Sequence, residues 1–149
     1  MSEERLTATG TRRKARIIAF QALYEVDTSG HSPETVLGHI AKSGELTGEN
    51  LVFTTGLVTG VVGHQKELDE NIRRFATAWP IEQIPAVDRN ILRLAIFEIL
   101  FSETTPFKVA INEAVELAKR FGSEGSPRFV NGVLGSVTTW LAGQSTKGE

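Results

Sequence analysis

The sequence contains no cysteine among its 149 residues, which excludes disulfide bonds, thiolate metal sites and cysteine nucleophiles. It also lacks any apolar run close to the ~18 residues that a membrane-spanning helix needs, so we expect no contact with a membrane. The first ten residues contain no apolar segment of the kind that marks a secretory signal. Together these absences favour a reducing compartment, and the cytoplasm is the expected location.

Positive charge is sparse along most of the chain and concentrated at its N-terminus. The net charge is −2, yet residues 1–16 carry five basic side chains against two acidic ones, a local charge of +3. The remainder of the chain therefore carries −5. A basic segment on an acidic body predicts a localised contact with an anion rather than broad binding to nucleic acid.

Apolar residues recur with the 3.6-residue period of α-helices in every long segment, and no segment alternates as a strand does. The hydrophobic fraction of 40% is sufficient for a folded core. We therefore predict an all-α fold, a compact bundle of six or seven helices. No repeat or linker divides the chain, so residues 1–149 are expected to form one domain, with flexible tails at 1–10 and 143–149.

Capping residues, prolines and glycines predict where the helices begin and end. Candidate N-caps are Thr11, Ser32 and Ser126. The first helix is expected from Arg12 to Asp27, and the second from Pro33 to Ile40. Later helices are expected to begin at Thr47, Asp88, Pro106 and Ser126. Gly56, Gly60 and Gly63 predict a kink or a close crossing within residues 47–75, and Gly122 is a natural helix stop.

The first helix has two apolar stripes, whereas a surface helix needs only one. The first stripe consists of Ala15, Ile18, Ala19, Ala22, Leu23 and Val26. The second stripe, on nearly the opposite side, consists of Ile17, Phe20 and Tyr24. Two stripes indicate either that the helix is central to the fold or that one stripe faces a partner.

A search for catalytic and metal-binding patterns finds little. His31, His39 and His64 lie near turns or on different helices, and solvated surface positions are the expected outcome. Glu113 and Glu116 could share a helix face, but a catalytic pair would also need a cleft, and a solvated helix face is the expected outcome. There is no phosphate-binding glycine loop. We expect no catalytic residue, no cofactor and no metal.

Four cations, Arg12, Arg13, Lys14 and Arg16, lie together at the start of the first helix, and we call them the basic arm. Positive charge at a helix N-terminus opposes the helix dipole, so the helix itself gains nothing from these residues. A locally unfavourable set of residues points to a function, such as contact with RNA phosphates. A solvated charged face is the alternative.

A second basic cluster lies between the last two predicted helices. Lys119 and Arg120 end one helix, and Arg128 begins the next. The helix N-terminus at Ser126 could receive a phosphate through its backbone N–H groups. Phe129 follows Arg128, and it could either stack on an RNA base or belong to the core.

Three blocks of the sequence resemble the NusB family of bacterial transcription antitermination factors. The blocks are RRKARIIAFQALYE (12–25), VDRNILRLAIFEIL (87–100) and PFKVAINEAVELAKRFGSEGSPRFVNGVLGSV (106–137). The last block is the most specific, because VAINEAVELAK followed by FVNGVL is hard to meet by chance. Residues 26–75 match only in their helical pattern.

The resemblance implies an all-helical fold of two small bundles that share a core, without catalytic activity. It also implies a set of partners. NusB-like proteins pair with the ribosomal protein NusE, and the pair binds single-stranded boxA RNA in nascent ribosomal RNA leaders. With other Nus factors, this assembly helps RNA polymerase read through terminators.

The same resemblance assigns roles to individual residues. The basic arm (Arg12, Arg13, Lys14 and Arg16) matches the arginine-rich RNA-binding segment, and Phe129 with Arg128 matches an RNA-contacting position. Tyr24 and Asp88 match positions that face NusE, and the second stripe of the first helix places Phe20 beside Tyr24. Gly125 stands where family members often carry an acidic residue, a difference that bears on RNA affinity.

Two other functions remain open at the level of sequence. The chain could be a NusB-like RNA-binding module that serves a separate RNA methyltransferase. It could also be a structural helical homo-oligomer, in which the basic arm only aids solubility. Binding of boxA RNA with the NusE protein distinguishes these possibilities.

Overall fold

The computed structural model describes the backbone of residues 2–147 and the side chains of residues 12–144. Within that part of the chain there are seven α-helices, one turn of 3₁₀ helix and no strand, so the all-α prediction is confirmed. The helices are α1 (Ser2–Ser29), α2 (Pro33–Ser43), α3 (Gly48–Gly63), α4 (Gln65–Phe75), α5 (Ala86–Phe101), α6 (Phe107–Phe121) and α7 (Ser126–Lys147). The 3₁₀ turn is Ile81–Gln83. The chain folds into two compact units, Met1–Gly63 and His64–Glu149.

Several helix boundaries differ from those that the sequence predicts. Helix α1 begins at Ser2, so Thr11 lies inside the helix and is not its N-cap. The helical stretch predicted over residues 47–75 is two helices, α3 and α4, which separate at His64 directly after Gly63. Glycine weakens a helix because it loses the most backbone entropy on folding, and the break falls at such a residue.

Helix α2 confirms the capping prediction for Ser32, whose hydroxyl accepts a hydrogen bond from the backbone N–H of Thr35 at 3.1 Å. Pro33 occupies the first helical turn, where a missing N–H group costs nothing. The helix extends past Ile40 to Ser43 and stops at Gly44. Gly44 has a φ of 75°, a left-handed conformation that favours glycine.

The first unit is built on α1, which packs against both α2 and α3. Small residues of the first apolar stripe, such as Ala15 and Ala19, are fully buried and allow the backbones of α1 and α3 to approach closely. Thr54 on α3 donates a buried hydrogen bond of 3.0 Å to the carbonyl oxygen of Ala15. This bond satisfies the hydroxyl in the core and links α3 to α1 at one position.

The second unit is organised around α5, which packs against α4, α6 and α7. Its apolar residues are buried on nearly every side, as expected of a helix with neighbours all round. The fully or nearly fully buried apolar residues of α5 are Ile91, Leu92, Leu94, Ala95, Ile96 and Ile99. The sequence pattern points to the first helix as a candidate for a central position, but α5 is the helix that has neighbouring helices on nearly every side.

The predicted flexible tails, residues 1–10 and 143–149, fall largely outside the residues whose side chains are described, and they stay a prediction. No helix in the described part is long and apolar enough to cross a membrane.

Candidate functional site

The four cations of the basic arm lie on α1 but differ in exposure. Arg13 and Lys14 are exposed, whereas Arg12 is half-buried and Arg16 is only 7% exposed. Successive residues of a helix point about 100° apart, so four neighbouring cations cannot all face solvent on a packed helix. The arm therefore offers Arg13 and Lys14 for contact with an anion and turns the other two towards the protein.

Arg12 and Arg16 converge on one aromatic ring, that of Phe53 on α3. The guanidinium carbon of Arg12 lies 4.1 Å from the ring centroid, and that of Arg16 lies 5.2 Å from it. A guanidinium group within about 6 Å of an aromatic face is attracted by the ring quadrupole. Atom Nη1 of Arg12 is buried and has no hydrogen-bond partner among the described residues. Sequence reasoning missed Phe53, because the ring and the arginines come from different helices.

The second stripe of α1 divides into a buried part and an exposed part. Phe20 is only 3% exposed, whereas Tyr24 is 39% exposed, and their ring centroids lie 6.3 Å apart. The prediction that Phe20 itself faces a partner does not fit this burial. Phe20 instead supports Tyr24, which presents an apolar ring and a polar hydroxyl, a combination enriched at protein interfaces.

Asp88, predicted to face a partner protein, is only 5% exposed. Its Oδ1 atom accepts a hydrogen bond of 2.7 Å from the hydroxyl of Ser126 on α7. Asp88 also lies in the first turn of α5, where the helix dipole favours a negative charge. The carboxylate is therefore held in position by Ser126, and only a small part of the residue is accessible.

Ser126 has a different role from the N-cap that the sequence predicts. It is the first residue of α7 rather than the residue before it. Its Oγ accepts a hydrogen bond of 2.9 Å from the N–H of Ser123, and its own N–H donates to the Ser123 carbonyl oxygen at 3.1 Å. Because the N–H groups of Ser126 and Phe129 bond to carbonyl oxygens of residues 123 and 125, and Pro127 has no N–H group, the first turn of α7 offers few donors to a phosphate.

Gly122 ends α6 as predicted, but not by adopting a left-handed conformation, since its φ is −92°. The reason is space. A Cβ at this position would lie 2.5 Å from both Cβ and Oγ of Ser126, and 2.8 Å from the carbonyl oxygen of Ala118. Only glycine at position 122 allows Ser126 to lie this close to the end of α6.

The second basic cluster is partly engaged within the protein. Lys119 forms an exposed ion pair of 3.2 Å with Glu116 on the same helix face. Arg120 lies over the ring of Phe121, with 5.3 Å from the guanidinium carbon to the ring centroid. Arg128 is exposed at the start of α7, and Phe129 beside it is half-buried. Phe129 is therefore neither a fully buried core residue nor a freely exposed one.

Phe129, Asp88 and Ser126 meet at one pocket of the second unit, whose volume is about 480 Å³. The pocket is also lined by Trp79, which precedes the 3₁₀ turn and is 58% exposed. Sequence reasoning missed Trp79. The sequence gives one indication of its importance. Trp79 is a large aromatic residue in the short connector between Ala76 and Pro80, where it cannot belong to the apolar stripe of a helix.

The three histidines are exposed, as predicted. His31 lies 2.8 Å from a carboxylate oxygen of Glu25, and the His64 ring lies 4.3 Å from that of Phe101, centroid to centroid. Among the described residues, no group of three or more histidine, cysteine or acidic side chains could hold a metal ion.

Comparisons with known proteins identify the fold and the family. Residues 13–139 match the NusB family. The transcription antitermination protein NusB of Dehalococcoides mccartyi is 55% identical over 141 residues, which cover 95% of this chain and 99% of that protein.

Two solved structures are similar to this chain in fold and support the same family. The chain of T. maritima NusB is 32% identical with a TM-score of 0.80, covering 86% of this chain and 90% of that one. A chain in the crystal structure of the antitermination factors NusB and NusE in complex with dsRNA is 28% identical with a TM-score of 0.76, covering 85% of this chain and 95% of that one. With a family match over most of its length and a relative at 55% identity, the chain belongs to the NusB family.

Proposed function

We propose that this protein is a non-catalytic transcription antitermination factor that binds RNA together with a ribosomal protein of the NusE type. The observation that carries the proposal is the exposed pair Arg13 and Lys14 on α1, in a chain whose net charge is −2. The similarity to a NusB chain crystallised with NusE and dsRNA supports both partners.

Two groups of residues, one in each unit, are assigned to RNA contacts. In the first unit, Arg13 and Lys14 attract phosphates, and this attraction should weaken with added salt. In the second unit, exposed Arg128 and half-buried Phe129 provide a cation beside an aromatic ring, a combination that suits an unpaired nucleotide. Single-stranded boxA RNA of ribosomal RNA leaders is the proposed target, and the cytoplasm, where nascent transcripts and RNA polymerase lie, is the proposed location.

Tyr24 is the residue proposed to contact the NusE partner. It is the exposed end of the second stripe, and Phe20 behind it holds the ring in place. Tyrosine loses little side-chain entropy when it becomes an interface anchor, since it has only two flexible angles. Asp88 is not assigned to the NusE surface, because only 5% of the residue is exposed.

The direct test is a titration of labelled single-stranded boxA RNA with this protein, alone and with purified NusE protein. We expect binding that strengthens when NusE is present, and read-through of a terminator in a transcription reaction that contains the other Nus factors. A scrambled RNA of the same length and a duplex RNA serve as controls. Equal affinity for all three RNAs, or none for any, would contradict the proposed function.

Tyr24→Ala tests the partner surface separately. We expect this variant to lose affinity for NusE while its affinity for RNA in the absence of NusE stays within about twofold of the parent. Val52→Ala is the matched control, because it also truncates an exposed apolar side chain of the same unit. If Tyr24→Ala and the control bind NusE equally well, the partner surface lies elsewhere.

A further inference from the structure

Trp79 is the most exposed large apolar residue among the described residues of the second unit. The indole is 58% exposed, whereas neighbouring Ile81 and Ile84 are buried. Large aromatic side chains contribute most to stability when they are buried, so an exposed tryptophan adds little to the fold at this position. Exposed aromatic residues next to a pocket are instead common in sites that bind ligands.

The pocket beside Trp79 has aromatic and apolar walls and a polar floor. Trp79 lies on one side in the connector, and half-buried Phe129 of α7 lines the same pocket, together with Ile84 and Pro85. The floor contains the carboxylate of Asp88, whose Oδ1 is occupied by the hydroxyl of Ser126 at 2.7 Å. Asp88 therefore contributes a carboxylate with a fixed position to the lining of the pocket.

The floor is held rigidly by its neighbours. Ser126 is fixed by the N–H of Ser123 at 2.9 Å, and Gly122 provides the space that lets it approach. A polar group with a fixed position and an apolar surround is the arrangement by which pockets orient a flat, polar-edged ligand.

We propose that this pocket takes one unstacked RNA base, with Trp79 as a stacking residue beside Phe129 and Asp88 as the acceptor for the base's amino group. The inference rests on the proposed function, and it adds to it the residue Trp79 and the class of base. The volume of about 480 Å³ lies in the range of small-ligand pockets and exceeds what one base requires. Exposed Arg128, adjacent to Phe129, can reach the phosphate that flanks the base.

The carboxylate of Asp88 at the floor of the pocket favours a base over a phosphate group as the part of the RNA that binds there. A buried carboxylate repels a phosphate group but accepts hydrogen bonds from exocyclic amino groups, as acidic residues do from cytosine. The pocket should therefore favour a base with an amino group over uracil. An RNA in which the bound position is changed to uracil should bind less tightly.

The first experiment compares Trp79→Ala with Trp79→Phe in RNA titrations. Loss of one stacked base should raise the Kd of Trp79→Ala by about 5- to 150-fold, and Trp79→Phe should retain most of the affinity because it keeps an aromatic face. Val52→Ala, which truncates an exposed side chain of the other unit, should leave the Kd unchanged. Equal loss in Trp79→Ala and Trp79→Phe, or no loss in either, overturns the inference.

The second experiment uses fluorescence, since the protein has only two tryptophans, Trp79 and Trp140. In the variant Trp140→Phe, the emission comes from Trp79 alone, and saturating boxA RNA should quench it. If the parent binds RNA but Trp79 emission does not change, the pocket is not the base site. If NusE quenches Trp79 and RNA does not, the pocket holds a protein side chain instead, which also overturns the inference. Absence of RNA binding by the parent would overturn the proposed function itself.

Discussion

The guanidinium group of Arg12 lies over the ring of Phe53, with 4.1 Å between the guanidinium carbon and the ring centroid. Arg16 approaches the same ring at 5.2 Å. One aromatic side chain of α3 thus holds two of the four cations of the basic arm. Arg13 and Lys14, which lie between them on the same helix, are exposed instead.

Phe53→Leu should reduce both stability and RNA affinity. Leucine keeps the apolar packing but lacks the ring quadrupole, so about 0.5–2 kcal/mol of cation–π stabilisation is expected to be lost. Phe53→Tyr keeps an aromatic face and should resemble the parent. Urea unfolding measures the first effect and RNA titration the second. Identical behaviour of the leucine and tyrosine variants would show that the ring acts only through its volume.

Neutralising Arg13 and Lys14 together should weaken RNA binding and its dependence on salt. Each phosphate contact with single-stranded RNA contributes about 0.7 to the slope of log K against log salt concentration, so the slope should fall by roughly 1.4. The matched control is Lys42→Ala with Lys108→Ala, which removes two exposed cations outside the basic arm. A slope that falls equally in both double variants would mean that net charge, not the arm, governs binding.

Asp69 and Arg93 form a buried ion pair in the second unit. Two parallel bonds join them, from Nε to Oδ1 at 2.7 Å and from Nη2 to Oδ2 at 3.0 Å. Asp69→Asn should cost about 3–5 kcal/mol of unfolding free energy, because it removes the carboxylate charge that faces the buried guanidinium group of Arg93. In contrast, Glu116→Gln breaks the exposed pair with Lys119 and should cost no more than about 0.5 kcal/mol. Chemical denaturation of the two variants checks this difference, and similar losses would refute it.

Gly122→Ala should destabilise the protein by about 1–3 kcal/mol through overpacking. The added methyl group would meet Cβ and Oγ of Ser126 at 2.5 Å and would displace the residue that donates to Asp88. Gly132→Ala is the control, since nothing lies within 4 Å of a Cβ placed there and alanine is the better helix former. The melting temperature should therefore fall in Gly122→Ala and rise slightly in Gly132→Ala. An unchanged melting temperature for Gly122→Ala would show that the turn adjusts freely.

The sequence alone determined the helical nature of this protein and the identity of its family. Apolar spacing of 3.6 residues and the Ser32-Pro33 signal are local patterns, and local hydrogen bonding and capping produce the corresponding structure. The motifs of residues 106–137 are equally local. Boundaries were less predictable, because α1 continues through Thr11 and because a continuous apolar pattern over residues 47–75 does not reveal the break at His64.

Only the tertiary structure decided which candidate residues are available for binding. Arg12, Arg13, Lys14 and Arg16 look equivalent in sequence, but Arg12 and Arg16 are partly or fully buried and contact Phe53, which is distant along the chain. Asp88 looks like a surface acid at a helix start, yet Ser126 of another helix accounts for its burial. The exposure of a side chain and its hydrogen-bond partners depend on contacts between helices, and no local sequence pattern encodes these contacts. The packing of the helices therefore determines which residues belong to the core and which can reach a partner.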